Sequence, residues 1–219
     1  MRYDGEHKER TRLRLLTEAA IMLREEGPHG LSVVTLMKRQ GLTHGGFYAH
    51  FESKDELIGH AIMVMFERTC ERFILRTRGL SPEAGLISYI SYYLSPAHCN
   101  KPGQGCPIPA ISADVARLEP LARKRFEAGL GSLQRLVSAK FERMGYETVS
   151  AENEALVLLS ELSGAVIMAR AVKSTALSRQ ICNNAQGAIL KRLNLVAPEA
   201  RDITSADTKV DAEVIGQDA

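Results

Sequence analysis

The chain reads as an all-α protein, and three observations predict it. Mostly apolar residues recur at i, i+3 and i+4 over long segments, as in the stripe Ile58, Ile62, Met65, Phe66, Thr69 and Phe73, polar only at Thr69. Helix-start signals precede such segments: Ser32, the Ser53–Glu56 capping box and Ser81-Pro82. The composition, 45% hydrophobic but only 5% aromatic with no Trp, suits helical packing rather than a β-sandwich. No segment reads as a strand, and no internal repeat is present.

A first helix closes at Glu25-Glu26-Gly27. Ser32 caps the second, with Leu31 and Leu36 as the N′ and N4 halves of a hydrophobic staple, and that helix should run to about Gln40. Gly41 supplies the left-handed residue that ends it. Thr43 then caps a short third helix, about His44 to His50, with Leu42 and Phe47 as a second staple. Ser53-Lys54-Asp55-Glu56 is an S-x-x-E capping box that opens a fourth helix at about Lys54, ending near Gly79. Ser81-Pro82 starts a helix to about Leu94, followed by an irregular, Pro- and Gly-rich stretch from Ser95 to Gly105. Further helices are predicted over about Pro107–Leu118, Pro120–Met144, Glu152–Lys173 and Arg179–Leu195.

Two short helices joined by Gly41-Leu42-Thr43 cross steeply, which is the layout of a helix-turn-helix. Residues 10–62 resemble the DNA-binding domain of the tetracycline-repressor (TetR) family. The resemblance rests on the first helix ending in Glu-Glu-Gly, Ser32 and Leu36 on the second helix, Gly41-Leu42-Thr43 in the turn, Gly45, Tyr48, His50 and Phe51 in and after the third, and Lys54 opening the fourth. Met37 and Gln40 depart from it, standing where the family usually has alanine. The resemblance implies a two-part protein: a DNA-binding domain over residues 1–54 and a helical effector-binding and dimerisation domain over 55–196. Residues 197–219 read as a disordered acidic tail, with six acids against two bases, net −4; the chain's +2 therefore leaves +6 on residues 1–196.

The residue types suit a reader of double-stranded DNA. Gly45 and Gly46 remove side chains that would hold a recognition helix off the groove floor. Thr43, Tyr48, His50 and Lys54 carry groups that can meet phosphates, aided by the N-terminus of the fourth helix. His44 is the first candidate for a base contact, with Thr35 and Val33 supporting it and Ser32 at the head of their helix. Phe47 and Phe51 read as core. Arg10, Arg12 and Arg14 fit phosphate contacts and a solvated face beside Glu6, Glu9 and Glu18 equally well.

The four cysteines, Cys70, Cys99, Cys106 and Cys182, form no C-x-x-C pair and suggest reduced thiols rather than a disulfide scaffold. Pro107 and Pro109 fit the first turn of a helix, placing Cys106 at its N-cap, where the helix dipole favours the thiolate. The run YYLSPAH…GCP resembles the TetR branch whose members carry a sensor cysteine here, the N-ethylmaleimide-type electrophile-sensing repressors. That resemblance makes Cys106 a candidate sensor; Cys99, seven residues before it in the same loop, is a candidate resolving thiol on that spacing alone. A packing role for Cys106 is as good a reading. A metal site from His98, Cys99 and Cys106 lacks a fourth ligand and the usual spacing, so neither metal nor cofactor is expected.

Leu156, Leu159, Ser163, Val166, Ile167 and Arg170, with Ser160 and Gly164, read as a dimerisation stripe, continued by Ile181, Ala185, Ala188, Ile189 and Leu193. A homodimer would read a palindromic operator. No long uncharged apolar run and no leader pattern appears, so a cytoplasmic protein without membrane contact is expected. The reading is a transcriptional repressor released from DNA by a small-molecule or electrophilic effector. The alternatives are an activator with the same reader and a small helical enzyme using Cys106 as nucleophile.

Overall fold

The computed structural model describes residues 2–195, with side chains from Gly5 onward; the expected acidic tail lies outside the described residues. Among them every regular element is helical: α1 (Arg2–Gly30), α2 (Val33–Arg39), a 3-10 helix (His44–Ala49), α3 (Lys54–Thr77), α4 (Pro82–Tyr93), α5 (Pro96–Asn100), a 3-10 turn (Pro102–Gln104), α6 (Pro107–Val115), α7 (Pro120–Arg143), α8 (Thr148–Ala171) and α9 (Thr175–Arg192).

Local chemistry explains most boundaries. Gly27, at φ 71° and ψ 178°, breaks α1 where the Glu-Glu-Gly sequence predicted, and Pro28 restarts one last turn. Ser81 Oγ accepts the Ala84 N–H at 3.2 Å with Pro82 at the first helical position. Three expectations need correction. The stretch from Ser95 to Gly105 is not irregular: Ser95 Oγ accepts the His98 N–H at 3.2 Å, Pro96 follows the cap, and α5 forms. α8 starts at Thr148 rather than Glu152, behind Glu147, whose side chain makes no cap hydrogen bond and so leaves no signature. α9 starts at Thr175 rather than Arg179 because Ser174 Oγ accepts the Leu177 N–H at 3.2 Å.

Two compact units result, and their division does not follow the boundary expected at 54/55. The first comprises the residues up to Glu67 with Pro102–Leu130, the second Arg68–Lys101 with the residues from Gly131 onward. In the first, Leu15, Leu23, Leu36, Phe47 and Phe51 share one core with Ile58, Ile62 and Phe66 of α3 and Ile111 and Val115 of α6. The helix-turn-helix is therefore completed by segments far along the chain. Buried Arg24 adds polar ties, its guanidinium donating to the carbonyls of Ala20 at 3.1 Å, Gly103 at 3.3 Å and Met65 at 3.4 Å.

The second unit packs Phe73, Tyr89 and Tyr93 edge to face, with ring centroids 4.8 and 5.6 Å apart. Leu158, Leu162 and Val166 of α8 are buried, and the Tyr93 hydroxyl meets Ser163 Oγ at 3.2 Å. Arg192 of α9 pairs with Glu154 and Glu161 of α8. Leu159, Ser163 and Val166, expected on a dimerisation stripe, are thus part of the protomer's own interior. Arg170 donates to the carbonyls of His98 at 2.9 Å and Cys99 at 3.1 Å. In its central and later turns α8 turns Leu156, Val157, Ser160, Ile167 and Met168 outward.

Candidate nucleic-acid interface

At the head of α2, Ser32 Oγ accepts the Thr35 N–H at 3.3 Å, so this hydroxyl serves the cap. Val33 packs half-buried against the core. Val34 takes its place outward, 59% exposed beside exposed Thr35 and Lys38. Sequence reasoning missed Val34. A helical wheel anchored on buried Leu36 and Met37 would have turned position 34 outward.

Gly41, at φ 69°, makes the turn. Thr43 stands at the next N-cap with extended backbone, but its side chain makes no cap hydrogen bond, contrary to expectation; the Gly46 N–H goes to the Thr43 carbonyl at 3.0 Å instead. The recognition element is a 3-10 helix rather than the short helix read from the caps alone, closed by bonds such as His50 N–H to Phe47 carbonyl at 2.9 Å. Two adjacent glycines remove much of the local helix preference, by roughly 1 kcal/mol each relative to alanine. A Cβ on Gly45 would meet nothing within 4 Å, and one on Gly46 only the Thr43 hydroxyl and the Met37 terminal methyl at ordinary contact distance. Nothing inside the fold asks for glycine at 45. A bare, outward backbone there is what close approach to base edges requires.

Around this element Thr43, His44 and Tyr48 are exposed and Lys54 is half-exposed. Tyr48 is held by edge contacts, its ring centroid 6.3 Å from that of His44 and 5.3 Å from that of Phe47, with 66% of its surface open. Phe47 and Phe51 are core, as expected. His50 is half-buried, and burial together with the charges of Lys8 and Arg12 holds its pKa below the ordinary 6.5. It offers the interface a neutral imidazole rather than a charge. The α3 capping box closes with Ser53 Oγ accepting the Glu56 N–H at 3.1 Å, while the Glu56 carboxylate accepts the Glu52 N–H at 2.6 Å.

The arginines sort themselves. Arg12 donates to the His50 carbonyl at 3.4 Å, lies 4.9 Å over the Phe51 ring and pairs with Glu56 at 3.7 Å, so it braces the end of the recognition element. Arg14 donates twice to the Gln40 side-chain oxygen, at 3.2 and 3.0 Å, which accounts for Gln40 where the family usually has alanine. Arg39 is paired with Glu18 and Glu26. Arg10 is exposed.

With this geometry the comparisons agree. The profile of bacterial regulatory proteins of the tetR family matches residues 15–61, and that of the LmrA/YxaF-like transcriptional regulator C-terminal domain matches residues 82–183. The chain belongs to the TetR family. It is a DNA-binding transcriptional regulator of that family, and its reader is the helix-turn-helix just described. Solved structures with the same fold include Escherichia coli NemR in its reduced form, 22% identical over 87% of this chain and 99% of that one with a TM-score of 0.71. A TetR regulator from Chloroflexus aurantiacus is 23% identical over 85% and 97%, TM-score 0.72. One from Cytophaga hutchinsonii is 19% identical over 84% and 96%, TM-score 0.72. No curated protein matches the chain. Among the described residues of this TetR chain, no helix is long and apolar enough to cross a membrane, and no group of three or more His, Cys, Asp or Glu is placed to hold a metal ion.

The candidate sensor residues lie outside the helix-turn-helix segment. Cys106 is the N-cap of α6, with φ −63° and ψ 139°, and is only 2% exposed. Cys99 lies on α5 in the other unit, 6% exposed, and its Sγ faces Cys182 of α9 at 3.5 Å. Its expected role as partner of Cys106 therefore has a rival eighty-three residues away along the chain.

Proposed function

We propose that this TetR regulator is a homodimeric repressor that sits on a palindromic operator in the cytoplasm and is released by a small effector. The observation that carries the reading is the outward cluster of Val34, Thr35, His44, bare Gly45 and Tyr48, a surface suited to base edges and phosphates. In this reading His44, Thr35 and Val34 contact bases, while Thr43, Tyr48, His50 and Lys54 position the backbone.

Homodimerisation is supported by the outward face of α8, where Val157 is 42% and Met168 59% exposed beside Gly164, at which an added Cβ would meet nothing within 4 Å. An effector site is supported by a cleft of about 530 Å³ in the second unit, walled by Phe73, Leu80 and Leu136 and rimmed by Arg78, Lys140 and Arg143. Cys106 at the head of α6, within the same compact unit as the reader, supports the electrophile-sensing branch; its burial means that an electrophile needs that segment to open.

Selection of bound sequences from random DNA, followed by binding of wild type and His44→Ala to the selected operator and to scrambled DNA, tests the reading. Wild type should recover a palindrome, and His44→Ala should change its preferred bases. Equal binding of all sequences by wild type would overturn it. Operator release by N-ethylmaleimide in wild type but not in Cys106→Ser tests the sensing arm separately.

A further inference from the structure

We propose that Cys99 and Cys182 are a modification site, a buried dithiol that a peroxide converts into an intramolecular disulfide joining α5 to α9. The two sulfurs lie 3.5 Å apart, both within the second unit, with Cys99 6% and Cys182 5% exposed. Closing to a bond of about 2.05 Å requires an approach of roughly 1.5 Å, within reach of side-chain rotation and a small helix shift.

Both helices that carry the pair are tied to their neighbours. The backbone of α5 is fixed by its Ser95 cap and by the two hydrogen bonds from Arg170 of α8 to the His98 and Cys99 carbonyls. Cys182 sits in the middle of α9, which is held in turn by its Ser174 cap and by Arg192 on Glu154 and Glu161 of α8, so the approach falls mainly on rotation of the two cysteine side chains. In the reduced state burial, then the neighbouring Cys182 sulfur, pushes the Cys99 thiol up to about 12, with Arg170 opposing. The Cys99 thiol therefore rests neutral and oxidises slowly.

The chemistry balances in two steps. One thiolate attacks the O–O bond of the peroxide, taking an oxygen to become a sulfenic acid while the other oxygen leaves as water after protonation. The second thiol displaces hydroxide from the sulfenic sulfur, and a second water leaves as the S–S bond forms. The peroxide is reduced by two electrons, and the protein loses two hydrogens. Because the bond closes a long loop of the chain, the oxidised form loses unfolded-state freedom and should melt higher.

The test uses the full chain, reduced, freed of reductant and exposed to hydrogen peroxide. Cys182 lies on a tryptic peptide of its own, from Gln180 to Lys191, whereas Cys99 and Cys106 share the peptide from Gly79 to Arg117 because the Lys101-Pro102 bond resists trypsin. Non-reducing peptide mapping of Cys106→Ser removes that ambiguity. The expected result is a linked pair of these peptides in both wild type and Cys106→Ser, with a melting temperature raised by several degrees and restored by dithiothreitol. Cys182→Ala should give neither the link nor the rise, leaving Cys99 as a sulfenic acid that dimedone traps. If peroxide consumes Cys106 while the Cys99–Cys182 link never forms, the proposal fails. It fails equally if Cys106→Ser abolishes the link, and the wild-type and Cys106→Ser maps decide even where Cys182→Ala does not fold.

Discussion

The outward surface of the reader and the outward face of α8 share a property: each exposes groups that its own unit does not use. Around Gly45 the exposed groups are short or polar-tipped, with a hydroxyl on Tyr48, an imidazole on His44 and a bare backbone between them. Along α8 they are aliphatic, with Val157, Ile167 and Met168 between 42% and 59% exposed. The first suits a hydrated, charged polymer whose contacts are hydrogen bonds; the second suits another protein surface that removes apolar area from water. The chemistry of what a contiguous patch exposes indicates the class of partner it suits.

The sharpest way to break this comparison is to separate the two sides of α8. Leu159→Glu places a charge in the protomer interior, where an uncompensated ion costs several kcal/mol, and should lose the cooperative thermal transition seen by circular dichroism. Gly164→Arg points into open space, so it should fold and sediment as a monomer. A folded Gly164→Arg that remains dimeric would place the interface elsewhere.

On the reader, Tyr48→Ala and Lys54→Ala should weaken binding to operator and scrambled DNA alike, by about 1 kcal/mol each, and flatten the salt dependence where a phosphate contact is lost. His44→Ala and Val34→Ala should lower operator affinity selectively, by roughly 1–3 kcal/mol for a base contact. Fluorescence anisotropy on the two DNAs separates the classes.

A smaller effect is expected from pH. His50 and His60 are both held below 6.5, first by burial and then by nearby cations. The unfolded chain therefore takes up protons that the folded reader resists. The stabilisation is complete above pH 6.5 and declines as pH falls below it. Chemical denaturation at pH 7.5 and 5.5 should show the loss, and His50→Gln should reduce it. The Cys99 thiol acts at the other end: pushed up to about 12 from 9.0, it stabilises the second unit below pH 9, and that contribution fades between pH 9 and 12.

Much of the reader was legible because its signals are local. Ser32, Gly41 and the Ser53–Glu56 box act within four residues of themselves, and the structure uses each. What stayed hidden was set by distant segments. The closing of the reader's core by Ile111 and Val115, and the meeting of Cys99 with Cys182, are contacts between residues far apart in sequence, which periodicity cannot report. The stripe on α8 misled for a related reason: its residues are apolar on nearly every side, so spacing could not tell the interior face from the outward one.

The hydrogen bonds from Arg14 to Gln40 have a consequence for how the protein responds to ionic strength. Arg39 faces two carboxylates, so its positive charge is already answered within the protein. Arg14 faces a neutral amide, which orients the guanidinium without cancelling it. A phosphate near α1 would therefore feel the full field of Arg14, held in one place, and little of that of Arg39. Gln40→Ala would leave the net charge untouched and release that field into a wider range of positions. Counterion release on binding should then stay nearly the same while the affinity at every salt concentration shifts down together, displacing the salt plot without changing its slope.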